Sequence, residues 1–372
     1  MSSSRKVLAA AVVCAAMSLS ACGGGKDPQS GEVGEQQQGA LTGWTVPSCT
    51  KVIGTNAITF TKDEGATLTP VSGTALSGVA YTHGLVALDT PNTMLASHNG
   101  KLLKSTNAGC NWTQVNTLDS VTLTAAQGGR AYGWAENGSS LYRIDGASTL
   151  VPLVSPVSNI LGLGVDPANG LHVRVGDSVG QLYESFNGGV SWTAVGVPAA
   201  TGDLVLGYTV AFDPSNLDKV FYGQAGGARV STNGGATWTS VTGLSTTRAN
   251  AFTIVVSPAD NQVVWLEAMD LTTEQRHIYR STNGGLSFAP VVTESADVTL
   301  TNGILLVAHP TNANVIYFEF GTHFQQYGTD IYKYDHAVGT VTKTHNANDG
   351  VSSIAFSPAS PSVLYFGLTS TN

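Results

Sequence analysis

From Trp44 to the end of the chain, short apolar runs alternate with polar positions at period two and are separated by Gly, Asn, Asp, Ser and Pro. That period belongs to half-buried strands, whose successive side chains point to opposite faces. One polar interruption recurs: S-T-N-G-G-A-T-W-T-S-V from Ser231, S-T-N-A-G-C-N-W-T-Q-V from Ser105, S-F-N-G-G-V-S-W-T-A-V from Ser185 and S-T-N-G-G-L-S-F-A-P-V from Ser281. A fainter copy, T-K-D-E-G-A-T-L-T-P-V, starts at Thr61. In each, an Asn or Asp two residues after the Ser or Thr can bond back to backbone N–H groups, and the glycines that follow can take φ > 0. The spacing predicts a hairpin turn, after which the aromatic or leucine returns the chain to apolar surroundings.

Each interruption is preceded by a strand, a Pro/Asn/Asp turn and a second strand, as in Val210-Ala211-Phe212-Asp213-Pro214 to Val220-Phe221-Tyr222-Gly223. The same prelude runs from Ile254 to Trp265 and from Leu306 to Tyr317. Four antiparallel strands in roughly 40–50 residues make one propeller blade. Hairpins without the polar motif are expected at Leu141–Gly146 and from Ile331 through Gly339. Seven blades result, with six or eight as alternative counts. The first motif has too little chain before it for a whole blade, and the last stretch, Val351–Gly367, is a prelude without a motif. The predicted fold is therefore an all-β, seven-bladed β-propeller of four-stranded antiparallel blades, closed by C-terminal strands that complete the N-terminal blade and remove its open edges.

The motif resembles the Asp-box, or BNR repeat, S-x-D-x-G-x-T-W, of sialidases, sortilin-type receptors, xyloglucanases and photosystem assembly factors. Asn107, Asn187, Asn233 and Asn283 stand where that family usually has Asp, which only Asp63 keeps. The resemblance implies turns between the third and fourth strands of each blade, with Trp112, Trp192, Trp238 and Phe288 as hydrophobic plugs between blades. Carbohydrate stacking on those rings is the lesser reading.

The N-terminus adds a second signal. Arg5 and Lys6 precede a short apolar run, Val7–Met17, and Leu19-Ser20-Ala21-Cys22 resembles a bacterial lipobox. The run is too short to span a membrane. Residues 1–21 are read as a lipoprotein signal peptide, with lipid attachment at Cys22 and export to the bacterial cell envelope, the outer membrane where the host has two. An ordinary secretory peptide cut near Ala21 is the alternative. Residues 22–43 are read as a flexible tether, about 25 Å in reach by random-coil scaling, and residues 44–372 as the propeller. Cys49 and Cys110 remain as an even pair in an oxidising compartment, so a disulfide is expected.

The formal charge of −8 becomes about −10 once Arg5 and Lys6 leave, and no basic cluster offsets it, which argues against nucleic acid as partner. The eight histidines are scattered without ligand spacing, so neither a metal nor a cofactor is expected. Propellers usually gather function where the loops between second and third strands meet the connections between blades. Two such loops stand out: Glu267–His277, with Asp270, Glu274, Arg276 and His277, and Gly321–Asp330, with His323, Phe324 and Tyr327. Aromatics beside hydrogen-bonding groups suit a sugar or a peptide.

A sialidase needs three converging arginines, a tyrosine nucleophile and paired acids, and no Arg-Ile-Pro signature is present, so no catalytic residue is assigned. The favoured reading is a monomeric, non-catalytic envelope module that binds a protein or glycan. A further resemblance in architecture is to secreted bacterial propellers that act on an extracellular metalloprotease. A glycoside hydrolase of the sialidase-like superfamily is the rival.

Overall fold

The computed structural model describes residue 41 and residues 43–72, 76, 78–202, 206–244, 248–322, 328–346 and 350–371. Cys22, His323, Phe324 and Tyr327 therefore lie outside the described residues. The strands form seven antiparallel sheets, which makes the protein a seven-bladed β-propeller. Blades 2 to 7 occupy residues 82–117, 122–152, 162–195, 207–240, 249–293 and 306–346. Each reads in spatial order from its first strand, near the axis, to its fourth at the rim.

Blade 1 joins the two ends of the chain. Gly350–Ser357 pairs with Ser360–Thr371, which pairs in turn with Ile58–Thr61 and, further along, with Val79–Ala80. Beyond the Thr61 turn, Thr69 N donates to Phe60 O at 2.8 Å, so the chain continues alongside as the fourth rank. The expected closure is what the structure shows: N-terminal and C-terminal strands share one sheet.

Antiparallel alternation gives the ring two distinct faces. The turns between first and second strands and those between third and fourth strands fall on one side, here the turn face. The turns between second and third strands and the connections between blades fall on the other, the loop face. Apolar positions are concentrated between blades. Trp112 packs with Phe60 and Tyr365 of blade 1, Trp192 with Tyr132 and Leu141 of blade 3, Trp238 with Leu182 of blade 4 and Ala199 of the connection after it, and Phe288 with Phe221 and Val230 of blade 5. Trp112 and Phe288 are buried; Trp192 and Trp238 are half-buried at the rim.

Cys49 and Cys110 form a disulfide across 61 residues, with their Cα atoms 5.8 Å apart. The N-terminal segment is thereby laid into the seam between blades 1 and 2. Ile53 N donates to Cys110 O at 2.9 Å, Trp112 N to Ile53 O at 3.0 Å, and Val52 bridges to Val71 on the other side. The bond thus reinforces the place where the ring is closed by non-covalent pairing.

Candidate functional site

The five repeated turns share one hydrogen-bond scheme. In blade 5, Ser231 Oγ donates to Asn233 Oδ1 at 2.9 Å and accepts from Gly235 N at 2.9 Å. Asn233 Oδ1 accepts from Thr237 N at 2.9 Å, while its Nδ2 donates to Thr237 Oγ1 at 2.9 Å. Gly235 takes φ +82°, which side chains with a Cβ rarely adopt. The networks at Asn187 and Asn283 repeat this with Ser191 and Ser287, and Asn107 with the backbone of Asn111. Where the residue is Asp63, Thr67 reverses its hydroxyl and donates to Oδ2 at 2.6 Å. Hydrogen bonds from Thr61 and Thr67 hold that carboxyl below its usual range. Asn and Asp thus close the same turn because the Ser or Thr hydroxyl four residues after Asp63, Asn187, Asn233 and Asn283 can donate or accept.

Inside the ring on the turn face lies a funnel of 660 Å³, built by six of the seven blades at the ends of their first strands. Its wall is apolar: Leu85, Leu163, Phe212, Leu217, Phe356 and the prolines Pro167, Pro214, Pro310 and Pro358, which follow the first strands of blades 4, 5, 7 and 1. Leu41, just before the ring begins, also lies in the wall. Three aspartates interrupt it. Asp89 accepts from Gly128 N at 2.7 Å and Gly129 N at 2.6 Å. Asp166 is raised by burial, but the His172 ring 2.7 Å away and the Ala168 amide outweigh this and leave it lowered. Asp213 is fully buried, its Oδ1 accepting from Ser215 N and Oγ at 2.8 and 2.6 Å.

On the loop face, the first expected loop is shorter than its sequence reading. Glu267 is not in a loop; it is a buried residue within the strand Val264–Asp270. Asp270 Oδ1 accepts from Thr272 N and Thr273 N, which folds the turn, and Glu274 takes φ +57° within it. Arg276 donates to Asn302 Oδ1 at 2.8 Å and Glu294 Oε2 at 3.2 Å, and His277 Nδ1 lies 2.9 Å from Thr293 Oγ1. Asp270, Arg276 and His277 are thus all engaged within blade 6 and the connection after it. Burial pushes the Glu267 carboxyl up to about 7, against the opposing hydrogen bond from Gly303 N at 3.0 Å. Glu319, in the matching strand of blade 7, is pushed up to about 7 by burial as well. A polar recess of 460 Å³, lined by His83, Trp134, Glu136, Asn137 and Asn159, also opens between connections and loops of blades 2 and 3.

The chain is 52% identical over 345 residues to the dispase autolysis-inducing protein of Streptomyces mobaraensis, covering 90% of this chain and 92% of that protein. The chain belongs to the dispase autolysis-inducing protein family. No family model matches it. Among solved structures, this member of the dispase autolysis-inducing protein family is similar in fold to YCF48 from Cyanidioschyzon merolae. The TM-score is 0.55 at 15% identity, over 78% of this chain and 96% of that one. YCF48 bound to D1 peptide gives 0.56 at 12% identity, over 87% and 100%. The Niastella koreensis GH74 enzyme gives 0.57 at 17% identity over 79% of this chain, which spans only 52% of the enzyme.

Sequence reasoning placed the site of this family member on the loop face and missed the funnel. A signal was present: Asp166-Pro167, Asp213-Pro214, His309-Pro310 and Ser357-Pro358 stand at the ends of the first strands of blades 4, 5, 7 and 1 as one acid-or-polar-then-proline word. Read one blade at a time, that word is only a turn.

Proposed function

We propose that the chain is an exported, non-catalytic propeller that binds a protein partner, and that the partner is an extracellular protease whose self-digestion it promotes. The observation that carries this is the identity of 52% across 92% of a protein named for inducing dispase autolysis. The apolar funnel supports it, since a concave, preformed apolar surface with a few placed polar groups is what recognition uses. The loop of Asp270, Glu274, Arg276 and His277, together with His323, Phe324 and Tyr327, is the alternative contact on the opposite face. The five polar turns are read as divergent Asp-box repeats that carry structure rather than ligand. Cys22 is proposed as the lipid anchor, with residues 22–43 as tether, residues 44–372 as the propeller and the cell envelope as its place.

The test mixes the full chain with a secreted neutral protease of the dispase type and follows intact protease and fragments by mass spectrometry. Faster loss of intact protease, with fragments cut by the protease itself, is expected. An unchanged protease lifetime at saturating propeller would overturn the reading.

A further inference from the structure

The polar recess on the loop face differs in chemistry from the funnel, and its frame is fixed before any ligand arrives. Ser97 Oγ donates to Asp119 O at 3.3 Å, and Ser140 Oγ and Tyr142 Oη donate to the Asp119 carboxyl at 2.5 and 2.7 Å, which sets the connection from blade 2 to blade 3. In the turn beside it, Ala135 N donates to Ser140 O at 2.9 Å, and Asn137 Oδ1 accepts from Ser139 N and Oγ at 3.1 and 2.6 Å. Ile160 N donates to Glu136 O at 2.8 Å and pins the connection to blade 4 onto that turn. The groups left over line the recess: the Glu136 carboxyl, the Asn159 amide, Asn137 Nδ2 and the exposed His83 ring, none of them hydrogen-bonded or ion-paired among the described residues.

Trp134 supplies the apolar side. Its ring is half-buried against the cluster of Leu141, Ile160 and Leu163, and its Nε1 is spent on Thr124 Oγ1 at 3.4 Å, so what it offers the recess is carbon surface. Burial holds the His83 imidazole below its ordinary value, so at neutral pH that ring is uncharged and offers one donor and one acceptor. Among the described residues no Lys or Arg lines the recess, so an anion would meet Glu136 with no cation to offset it. An extended peptide would need pockets for alternate side chains, and the recess gives it a single ring.

We propose that the recess binds one neutral pyranose ring of a glycan, with the apolar C–H face of the sugar on Trp134 and adjacent hydroxyls on Glu136 and Asn159. A sugar hydroxyl both donates and accepts. The carboxylate accepts from one hydroxyl in a charge-assisted bond, and the amide offers a donor and an acceptor to its neighbour. The sugar's C–H face covers indole carbon that water otherwise wets. A volume of 460 Å³ suits a small ligand of this kind. The site lies on the face opposite the funnel and stands apart from the protein-binding reading: a sugar held there leaves the turn face free for a protein partner.

The experiment follows the Trp134 indole N–H resonance of the full chain at neutral pH during titration with the methyl glycosides of glucose, galactose, mannose and N-acetylglucosamine. Glucuronate and choline serve as anionic and cationic controls. At least one neutral glycoside should shift that resonance saturably with a Kd in the millimolar range, as befits a small site with few apolar contacts, and glucuronate should not. Glu136→Ala and Asn159→Ala change exposed side chains and leave the fold intact; each should weaken the neutral glycoside on the order of tenfold, the loss of one hydrogen-bonding group. Saturation by no neutral glycoside, saturation by choline alone, or undiminished binding to both variants overturns the proposal. Glu136→Ala should accelerate protease loss as the parent does, so the sugar site and the protein-binding reading can each fail without the other.

Discussion

On the turn face, five of seven blades close their outer hairpin with the same Ser or Thr hydroxyl and the same Asn or Asp oxygen. Blade 3 does so by gathering Arg130 and Arg143 onto Asp145, at 2.6 and 3.0 Å. On the loop face, by contrast, equivalent positions differ from blade to blade. The third residue beyond the one paired with the motif Ser or Thr is Gly176 in blade 4, Gly223 in blade 5 and Gly367 in blade 1, but Glu267 in blade 6. A Cβ at Gly176 would stand 2.6 Å from Val210, and one at Gly367 2.6 Å from Thr82 of the next blade. At blade 6 the next blade's first strand begins only at Leu306, and Gly303 N fills the space by donating to the carboxyl. Ser97 answers the same need in blade 2 by accepting from Val121 N. The turn face therefore holds the ring together by repetition, while the loop face adjusts each seam individually and stores buried carboxyls in doing so.

Deepening that contrast starts with the largest effect. Trp112→Ala empties a fully buried site at the closing seam and should cost about 3–5 kcal/mol. Trp238→Ala, at the half-buried rim position of the same motif, should cost clearly less. Denaturant midpoints measure both; equal losses would show that burial does not rank the seams. Next, replacing both Cys49 and Cys110 by Ser should lower stability by up to about 4 kcal/mol on the chain-entropy account. An unchanged midpoint would mean that the hydrogen bonds of Ile53 alone secure the seam.

The two faces predict pH dependences of opposite sign: the lowered carboxyls of Asp63 and Asp166 on the turn face lose their contribution as pH falls, whereas the raised carboxyls of the loop face lose theirs as pH rises. Glu267 and Glu319 keep their protons in the folded ring up to about 7, whereas the ordinary value is 4.5. Between those values the unfolded chain binds fewer protons than the folded one, so stability falls as pH rises through that window and levels off above it. Each carboxyl contributes no more than about 3 kcal/mol to that fall. Glu267→Gln should remove its share, so the variant should gain on the parent between pH 5 and pH 8 in urea melts. A parallel pair of pH profiles would show that the carboxyl ionises freely in the folded state. The smallest effect belongs to a single turn: Asn233→Ala should cost about 1 kcal/mol, as for a lost side-chain cap, and Asn233→Asp should be nearly neutral because Thr237 can turn its hydroxyl. A large loss for Asp would mean that the Nδ2 donor, not the shared oxygen, closes the hairpin.

Most of the ring was legible because its determinants are local. Period-two alternation, the Ser-x-Asn-Gly turn and the paired prelude each lie within a few residues, and seven copies of a local rule make a global count. The Cys49–Cys110 bond was legible from compartment and parity. The two outlying candidates, Glu267 and Asp213, were not. Glu267 reads as part of a polar loop, and its burial depends on Gly303 in the connection to blade 7. Asp213 reads as the start of an Asp-Pro turn, and it becomes a funnel wall only when five other first strands bring their ends to the same height. Properties shared by several blades have no signature within one.

The funnel as the contact surface is tested most directly by blocking each face in turn. Thr311, exposed in the funnel wall, and Leu271, exposed in the turn on the opposite face, are each replaced by arginine in the full chain, and loss of the intact neutral protease is timed against the parent. Contact through the funnel predicts that Thr311→Arg abolishes the acceleration and Leu271→Arg retains it. Retention by Thr311→Arg together with loss by Leu271→Arg would contradict it and move the site to the loop face.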